Sequence, residues 1–403
     1  MSRILIIVQN LPVPFDRRVW LECQALTGAG HEVSVVCPKG PGDPAYAIVD
    51  SVRLYKYRPY APGGSKLSFI AEYVYSFLAT ARLTLKARRS GRLDVIQACN
   101  PPDIFWPIAV ALRAVDRTKF VFDHHDLCPE LYQSRFPNGP GLPYRGLRAL
   151  ERRTHRSADH VIATNDSYRD IALHRSGKAA DAVTVVRTGP DPQRLRRGPA
   201  CPELRRGRRF LAAYIGVMGP QDGVDIVVRA ADIVVHELGR KDIAFTLIGS
   251  GDCYADLVML RDALDLGDHV EFTGRAPDEL VGRILSTADL GLSPDPKNPL
   301  NDLSTMNKTM EYMAFELPLV AFDLRETRVS AGAAAVYVEP GDLRGYAQAI
   351  VDLADDEPRR ASLGKIGRAR VEQDLAWAHQ ERAYLEVYRR LLGQPASLDR
   401  AGA

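Results

Sequence analysis

Short runs of aliphatic and β-branched residues alternate with longer amphipathic segments along almost all of the 403 residues. Such runs are typical of strands in parallel βαβ units, because helices cover both faces of the sheet and leave no solvent-facing side. The predicted strands are Arg3–Val8, Glu32–Cys37, Val52–Tyr57, Asp94–Cys99, Lys119–His125, His160–Asn165, Ala182–Thr188, Phe210–Gly216, Ala244–Gly249, Val270–Gly274, Leu290–Pro294, Pro318–Asp323 and Ala335–Glu339. The alternation therefore predicts an α/β protein with doubly wound, Rossmann-like sheets.

The alternation is interrupted by a loop-like stretch from Gly189 to Gly207 that is rich in proline, glycine and arginine. Glycine and proline cluster in linkers, so we predict two domains, residues 1–193 and 208–375, joined across this stretch. Open α/β domains bind ligands at the carboxyl ends of their strands. The cleft between two such domains is therefore the expected active site.

Cysteine usage and hydropathy indicate the compartment. The six cysteines form no CxxC pair, which predicts reduced thiols. The apolar start, Met1 to Val8, is too short for a signal peptide, and no window of about 18–20 apolar residues could span a bilayer. The sequence predicts a cytoplasmic protein whose membrane contact, if any, is peripheral at the inner face.

The net charge of +3 conceals an asymmetry between the two halves of the chain. Residues 1–200 contain 29 Lys and Arg against 18 Asp and Glu, a surplus of 11 positive charges, and the remainder has 24 against 32. A basic domain favours an anionic partner such as a membrane surface or a lipid phosphate, although a solvated basic face explains the same numbers. No nucleic-acid-binding module is present in the sequence, so nucleic acid is not predicted as a partner.

One predicted helix, Leu67–Arg89, combines an apolar face with a basic rim. Its apolar residues are Phe69, Ile70, Tyr73, Val74, Phe77, Leu78 and Leu85, and the cations at or near its edges are Lys66, Arg82, Lys86, Arg88, Arg89 and Arg92. Such a helix can lie among lipid headgroups, or it can pack its apolar face into the domain core. The first alternative predicts salt-sensitive membrane association to which Arg82, Lys86, Arg88 and Arg89 contribute.

Two glycine-rich turns follow predicted strands in the second half. The turn Gly216-Val217-Met218-Gly219 leads toward a helix at Val224, so backbone N–H groups and the helix dipole could face an anion. The turn Gly249-Ser250-Gly251 lacks the third glycine of a dinucleotide-binding fingerprint. Either turn could equally be a tight strand-to-helix connection without a ligand.

The segment Asp123-His124-His125-Asp126 lies where a predicted strand ends. A histidine beside a carboxylate can move a proton or orient a sugar hydroxyl. Adjacent strand residues point to opposite faces, so we expect one histidine in the core and one toward the ligand. A metal site is not favoured, because a third well-spaced ligand is missing from the sequence, and Asp295 and Asp302 form no Asp-x-Asp motif.

The segment Ser304–Pro318 is the strongest candidate for chemistry. Ser304 or Thr305 is predicted to cap a helix whose first turn holds Lys308, with Asn307 and Glu311 on about the same face. Lys308 could meet a diphosphate, and Glu311 could accept hydrogen bonds from two vicinal hydroxyls. An ordinary surface network of helix side chains is the alternative.

Taken together, the motifs resemble family 4 of the retaining glycosyltransferases, which have the GT-B fold, over residues 3 to 390. The similarity is closest to the branch that makes bacterial polysaccharide and O-antigen. The motifs are Phe15-Asp16-Arg17-Arg18-Val19-Trp20, Gly30-His31-Glu32-Val33, Asp123-x-His125-Asp126, Gly216-x-x-Gly219, Val270-x-Phe272-x-Gly274-Arg275 and Lys308-x-x-Glu311-Tyr312-Met313-Ala314. The resemblance implies two Rossmann-like domains, the first binding the acceptor and the second a nucleotide diphosphate sugar. It further implies no metal or other cofactor, and an acceptor that is lipid-linked or a polysaccharide precursor.

The resemblance also implies roles for individual residues. Glu311 matches the glutamate that binds the nucleotide ribose, Lys308 resembles a ligand of the donor phosphate, and His125 matches the histidine near the transferred sugar. Arg275 is placed like the family residue whose backbone contacts the nucleotide base. The loop Leu324-Arg325-Glu326 resembles a loop whose backbone approaches the sugar or the diphosphate. Gly216, Gly219, Gly249 and Asn307 complete the expected donor site, with Arg17 and Asp126 on the acceptor side.

Two departures from the family pattern leave other functions open. Leu303 stands where the family has its first glutamate, and Gln221 and Asp222 stand near the usual Arg and Lys. A nucleotide-sugar 2-epimerase of the same fold and a non-catalytic glycosyltransferase homologue remain alternatives. The fold further implies a C-terminal helix, residues 376–392, that returns to the first domain through Trp377, Tyr384 and Tyr388, with a hinge that closes when donor binds.

Overall fold

The computed structural model describes residues 1–60, 66–136 and 141–394, and the side chains of residues 66–70 lie outside that description. The chain forms two compact units, of which the first contains Met1–Thr188 and the segment from His379 onward. The second unit is Gly189–Ala378. Both are built around largely parallel sheets, which confirms the predicted doubly wound α/β fold.

The first unit has an eight-stranded sheet in the order β3-β4-β2-β1-β5-β6-β7-β8. Its strands are β1 (Arg3–Ile7), β2 (Glu32–Pro38), β3 (Tyr46–Val49), β4 (Val52–Tyr57), β5 (Val95–Cys99), β6 (Lys119–His124), β7 (His160–Ala163) and β8 (Val183–Val185). All neighbouring strands are parallel except β3 and β4. The strand order reverses direction between β1 and β5, and such a reversal opens a crevice at the carboxyl ends of the strands.

The helices that follow these strands are α1 (Arg17–Gly28), α2 (Lys66–Arg88), α3 (Trp106–Asp116), α4 (Cys128–Arg135), α5 (Leu142–Ser157) and α6 (Asp166–Asp170), which a π-helical turn extends through Ile171–Arg175. Helix α1 begins where the Asp16 side chain accepts a hydrogen bond from the Val19 N–H, so an aspartate N-cap fixes its start. The strand β3 and the helix α4 were missed in the sequence. Strand β3 lies at an edge, where its half-exposed residues lack the apolar run that marks a buried strand.

The second unit has a six-stranded, fully parallel sheet in the order β11-β10-β9-β12-β13-β14. Its strands are β9 (Phe210–Ile215), β10 (Ile243–Ile248), β11 (Val270–Gly274), β12 (Leu290–Ser293), β13 (Leu319–Phe322) and β14 (Ala335–Val338). Residues of β10 alternate between two apolar cores, Phe245 and Leu247 on one face and Ala244 and Ile248 on the other. Here the order reverses between β9 and β12, which sets the second crevice.

The remaining helices are α7 (Val224–Asp232, extended by Ile233–Glu237), α8 (Tyr254–Ala263), α9 (Asp278–Thr287), α10 (Asn307–Ala314), α11 (Arg325–Ala331), α12 (Leu343–Asp355), α13 (Glu357–Arg370, extended by Val371–Leu375) and α14 (Trp377–Leu391). The body of α14 belongs to the first unit, in which Tyr384 and Tyr388 are fully buried. Trp377 was expected among these anchors, but it belongs to the second unit. There its backbone N–H donates to the Pro190 carbonyl.

Candidate active site

The helix that carries Asn307, Lys308 and Glu311 is fixed to the second sheet by one tyrosine. The Tyr312 hydroxyl donates to the Leu292 carbonyl of β12 and accepts from the Ile215 N–H of β9, both at 3.0 Å. Gly291 lies under this ring, and a Cβ there would come within 2.4 Å of it. Helix α10 therefore begins directly over the reversal point between β9 and β12, which is where open α/β sheets bind ligands.

The start of α10 differs from the predicted cap. The residue at the N-cap is Met306, and no side chain there accepts a hydrogen bond. The Ser304 hydroxyl instead donates to the Leu300 carbonyl at 2.7 Å, so it closes the preceding turn. The expectation that Ser304 or Thr305 caps the helix was wrong. The N-cap position is Met306, and the Ser304 hydroxyl is bonded within the preceding turn instead.

Lys308 is held by a buried carboxylate. Its Nζ lies 2.6 Å from Asp295 Oδ1 and 5.0 Å from the centre of the Tyr214 ring, while Ser293 donates to the other Asp295 oxygen at 2.7 Å. Only 9% of the Lys308 side chain and 2% of the Asp295 side chain are exposed. Burial by itself lowers the pKa of Lys308, but the charges of Asp295 and Asp222 outweigh it and raise that pKa above its ordinary value. The site therefore contains a buried ammonium–carboxylate pair.

The turn after β9 packs against the turn after β10. The Gly216 N–H donates to Ile248 and the Met218 N–H donates to Ser250, both through backbone carbonyls. Gly249 has φ +142°, and a Cβ on it would lie 1.8 Å from the Gly216 carbonyl oxygen, so only glycine fits this approach. A Cβ on Gly216 would lie 3.4 Å from Lys308 Cε. The glycines thus bring the two turns together beside Lys308.

The sequence predicted that backbone N–H groups of the turn after β9 could face an anion. These hydrogen bonds show that three of those N–H groups are already bonded within the protein. The N–H of Gly219 is taken by the Asp222 carboxylate at 2.9 Å, in addition to the two amides bonded to the neighbouring turn. Asp222 therefore closes the turn on itself, where the family pattern has basic residues. Lys308 brings a positive charge next to this turn.

The segment around Leu303, where the family's first glutamate is absent, connects neighbouring loops. The Asn301 amide donates to the Gln221 carbonyl at 2.9 Å and to the Pro296 carbonyl at 2.8 Å. Asp302 accepts from the Arg325 N–H at 3.0 Å through its side chain and from the Glu326 N–H at 3.2 Å through its carbonyl. Asn301 and Asp302 therefore tie the turn after β9 and the start of α11 to one short segment.

The other predicted donor residues have different degrees of exposure. Glu311 is half-buried, whereas Asn307, Arg275 and Arg325 are exposed. Leu324 and Glu326 are buried, each about 1% exposed. All of them follow strands β11, β12 or β13 at the same edge of the sheet, because these strands are parallel.

In the first unit the two histidines separate as expected. His124 is fully buried among Phe122, His155 and Tyr168, whereas 16% of the His125 side chain is exposed. The loop that holds His125 is fixed by Asn100 at the end of β5. Its side-chain oxygen accepts from the N–H groups of His125 and Asp126 at 2.6 and 3.1 Å, and its amide donates to the Asp126 carbonyl at 2.7 Å.

His125 meets a buried cluster of charged groups. Its Nε2 lies 2.6 Å from Asp123 Oδ2, and Arg18 Nη2 donates to Asp123 Oδ1 at 2.9 Å. The guanidinium also donates to the Val186 carbonyl at 2.9 Å and the Thr188 hydroxyl at 3.0 Å. Arg17, the predicted acceptor-side residue, is exposed, while Arg18 beside it is 6% exposed. At the start of α1, Arg18 rather than Arg17 therefore points toward His125.

The two carboxyl groups of this cluster are in opposite states. Burial raises the pKa of Asp123, but the positive charges of Arg18 and His125 lower it well below its usual range. Burial and the nearby Asp123 charge raise the pKa of Glu22 well above its usual range. Glu22 is therefore neutral and Asp123 is the anion that faces His125.

The same place brings together Cys99, Asp123 and His125, whose ligand atoms lie within 4.8 Å of one another. The sequence analysis missed this cluster. Arg18 already supplies a positive charge at the Asp123 carboxylate. Burial also raises the pKa of the Cys99 thiol well above its usual range, so it remains protonated. The donor set therefore suits a hydrogen-bonded cluster better than a metal site.

Several residues of both sites were absent from the sequence analysis, namely Arg18 as a site residue, Glu22, Gln97, Asn100 and Ser293. A signal for some of them existed. Gln97 and Asp123 are polar residues inside otherwise apolar strands, and buried polar groups require partners. That pattern identifies a buried network but not its members.

Comparisons with known proteins agree with this architecture. The family model described as Glycosyltransferase Family 4 matches residues 16–194, and the model described as Glycosyl transferases group 1 matches residues 209–356. The phosphatidyl-myo-inositol mannosyltransferase of Mycolicibacterium smegmatis is 26% identical over 98% of this chain and 94% of its own length. D-inositol 3-phosphate glycosyltransferase 1 of Catenulispora acidiphila is 27% identical over 58% of this chain, and the match spans 57% of its own length.

Solved structures show the same fold at low sequence identity. Sucrose-phosphate synthase from Thermosynechococcus elongatus superimposes with a TM-score of 0.78 and 18% identity, covering 98% of this chain and 100% of the other. Anabaena Alr3699/HepE in complex with UDP-glucose gives a TM-score of 0.70 and 16% identity over 97% of this chain and 100% of the other. The two-unit architecture is thus shared over essentially the full length of these proteins.

Proposed function

This chain belongs to the glycosyltransferases with a family 4 domain followed by a group 1 domain, and from that premise we propose that it transfers a sugar from a nucleotide diphosphate sugar to an acceptor hydroxyl with retention of configuration. The second unit binds the donor and the first binds the acceptor. The observation that carries the proposal is Lys308, a buried cation at the strand-order reversal beside two glycine turns.

The proposed reaction breaks the bond between the sugar's anomeric carbon and the diphosphate oxygen and forms one to the acceptor oxygen. The bonding electrons leave with the diphosphate, which becomes basic enough to take the hydroxyl proton. An ammonium group has three N–H donors, so Lys308 can bind a phosphate oxygen while it keeps Asp295. Stabilising the charge that develops on the leaving group lowers the barrier directly.

The acceptor side of the proposal rests on His125. Asp123 orients its ring, and Asn100 fixes the backbone on which it stands. An imidazole held in this way can hydrogen-bond a sugar hydroxyl in a defined direction. Asp126 follows in the same loop. The name of the mycobacterial relative specifies a phosphatidylinositol acceptor, and the Anabaena structure contains UDP-glucose, which supports a lipid-linked acceptor and a nucleotide-sugar donor.

A panel of nucleotide sugars incubated with a lipid extract tests the reaction. The proposal predicts release of nucleoside diphosphate together with a glycosylated lipid, and NMR of the purified product should show the donor's anomeric configuration. An altered sugar nucleotide without acceptor would indicate the epimerase instead. Binding of donor without any turnover across the panel and extract would indicate the non-catalytic alternative.

We further propose that helix α2 attaches the protein to an anionic membrane surface. The helix packs against β2 and β4 with Ser76, Thr80 and Thr84 buried, and it leaves Val74, Leu78 and Leu85 exposed by 54%, 60% and 55%. Of the predicted apolar residues of this helix, Tyr73, Val74, Leu78 and Leu85 are exposed and Phe77 is half-buried, so the alternative of a core-packed apolar face was wrong for the exposed four. Phe69 and Ile70 have side chains outside the described residues.

Charge supports a lipid surface as the occupant. Arg82, Lys86 and Arg89 are exposed on α2 or directly after it. Arg88 was expected to contribute, but its guanidinium forms two hydrogen bonds with Asp116, at 2.6 and 2.9 Å, so its charge is balanced within the protein. An exposed apolar stripe beside unbalanced cations is the pattern of an interfacial helix. Among the described helices none is long and apolar enough to cross a membrane.

Sedimentation with vesicles tests the attachment. The full chain should bind phosphatidylglycerol vesicles more than phosphatidylcholine vesicles, and high salt should weaken the binding. Leu78→Gln with Leu85→Gln should reduce it strongly, whereas Val115→Gln, at an equally exposed apolar position on α3, should not. Equal, negligible sedimentation with both lipids would contradict the proposal, as would self-association through α2 in light scattering.

A further inference from the structure

The buried side chain of Gln97 connects the C-terminal helix to the His125 cluster. Gln97 lies in the middle of β5 and is fully buried. Its Oε1 accepts a hydrogen bond from the Tyr384 hydroxyl at 2.9 Å and another from the Tyr388 hydroxyl. The two tyrosines are one helical turn apart on α14, and their hydroxyls lie 3.2 Å from each other. Both phenols are fully buried, so these contacts are shielded from water.

Two donors on one oxygen determine which way the amide points. With Oε1 toward the phenols, Gln97 Nε2 must face the opposite side, where it donates to Glu22 Oε2 at 2.7 Å and to Asp123 Oδ2 at 3.2 Å. A flipped amide would set its oxygen against the Asp123 carboxylate, and two acceptors in contact in a buried place repel each other. The tyrosine donors on one side and the carboxyl groups on the other therefore favour the same orientation, in which the amide stabilises the Asp123 carboxylate.

The carboxylate oxygen in question is the one that holds the histidine. Asp123 Oδ2 receives Gln97 Nε2 at 3.2 Å and lies 2.6 Å from His125 Nε2. A carboxylate that accepts one more hydrogen bond is a weaker base toward its remaining partner. The amide thus limits how strongly Asp123 Oδ2 interacts with His125 Nε2, to which Arg18 Nε also lies at 3.0 Å, from a position that never touches His125.

We propose that Tyr384 and Tyr388 are positioning residues for His125, acting through the orientation of the Gln97 amide and the Asp123 carboxylate. The inference deepens the proposed function, because it assigns the C-terminal helix a part in setting the acceptor-side histidine. Residues 287 and 291 positions along the chain from Gln97 thereby complete the site of the first unit.

Other titratable groups face the same cluster from every element that packs on it. They are Arg18 and Glu22 of α1, Asp16 before it, Cys99 of β5, His124 of β6, Asp126 after β6, and the two phenols of α14. Burial raises the pKa of both phenols well above the ordinary value, so they stay protonated and act as donors. The Glu22 carboxyl group is neutral as described above. Over the range in which a histidine titrates, Asp123 and Arg18 thus keep their charges.

A comparison of single and double tyrosine variants tests the proposal. Tyr384→Phe or Tyr388→Phe alone leaves one donor on Gln97 Oε1, so the amide keeps its orientation and His125 changes little. The double variant removes both donors, so only the Glu22 and Asp123 side still orients the amide. We expect the hydrogen bond from Gln97 to Asp123 to weaken, and the NMR resonances of the His125 ring to move, in the double variant only. A purely structural role would give additive effects instead.

NMR of histidine-labelled full-length protein at one fixed pH measures that change, with His125→Asn identifying the resonance. Tyr346→Phe is the matched control, because its buried hydroxyl donates to the Val320 carbonyl in the second unit. Gln97→Leu should reproduce the double variant. If turnover is found, it should fall by about 3–30-fold in both of these variants, with a smaller change in donor KM.

The NMR comparison is decisive even if no transfer activity is detected, so failure of the proposed function and failure of this inference give different results. Unchanged His125 ring resonances in a folded double variant overturn the inference. Equal shifts in the single variants that simply add in the double variant also overturn it. If the double variant does not fold, Gln97→Leu provides the same comparison without altering α14.

Discussion

The two sheets of the molecule use the same position in opposite ways. In both, charged side chains gather where the strand order reverses, beside β1 and β5 in the first unit and β9 and β12 in the second. In the first unit, the Asp123 carboxylate is surrounded by the Arg18 guanidinium, the Gln97 amide and the His125 ring. Around Lys308 a cation has one carboxylate partner among the contacts described here, and that carboxylate is held by a serine.

The difference indicates a division of work. A group surrounded by several fixed donors has little freedom, which suits a side chain that must point one way. An ammonium with one strong partner keeps donors for a ligand, which suits a group that must meet a departing anion. The first site is therefore organised in advance, whereas the second has binding capacity that the donor uses.

Removing Arg18 should cause the largest loss of folding stability. Arg18→Met leaves the buried Asp123 carboxylate without its guanidinium partner, and breaking a buried pair in this way costs about 3–5 kcal/mol of unfolding free energy. Urea unfolding of wild type and variant measures the difference. Arg344→Met removes the solvent-exposed pair with Glu237 and is the control, with little expected change. A similar small effect from both would mean that the cluster is not the organised core of the first site.

Removing the ammonium should affect turnover more than folding. Lys308→Ala should lower the rate of transfer by about 10–1000-fold, corresponding to roughly 1.5–4 kcal/mol of transition-state stabilisation. Lys365→Ala, on the exposed side of α13, is the matched control. Near-normal turnover in Lys308→Ala would show that the pair with Asp295 is only structural.

The carboxylate partner of Lys308 sharpens that result. Asp295→Asn keeps the shape of the side chain but removes the larger of the two charges that raise the pKa of Lys308, so that only Asp222 still opposes the lowering by burial. Transfer by this variant should therefore decline on raising the pH through the alkaline range, at pH values where wild type is still active. The pH profiles of the two proteins provide the comparison, and superimposable alkaline limbs would contradict the assigned role of Asp295.

A smaller effect is expected behind the His125 loop. Asp103, bonded to Asn100, has its pKa raised to about 7 by burial and by the charge of Glu151. A raised carboxyl pKa costs stability as pH rises from about 4 to 7, because only the unfolded state releases the proton there. Between pH 4 and pH 8, the free energy of unfolding of Asp103→Asn should thus rise by on the order of 1–3 kcal/mol relative to that of wild type. The exposed Asp181→Asn should show no such trend in chemical unfolding at the two pH values.

The fold was predictable because parallel strands buried on both faces leave an unmistakable apolar run. Lys308 and Glu311 were also predictable, since they lie in one short motif. Asp295, thirteen residues before Lys308, was not, because only the arrangement of β12 and α10 brings them together. Likewise, α2 has both an apolar stripe and a stripe of Ser76, Thr80 and Thr84, and tertiary packing decided which one faces inward.

The central claim is that donor binding belongs to the Lys308 site and acceptor-side positioning to the His125 site. Calorimetric titration with the nucleoside diphosphate of the active donor, combined with turnover, tests it in Lys308→Ala and His125→Ala. The account predicts weaker nucleotide binding and lower turnover in Lys308→Ala, but in His125→Ala nucleotide affinity within about twofold of wild type with turnover reduced at least tenfold. Loss of nucleotide affinity in His125→Ala together with normal affinity and turnover in Lys308→Ala would contradict it.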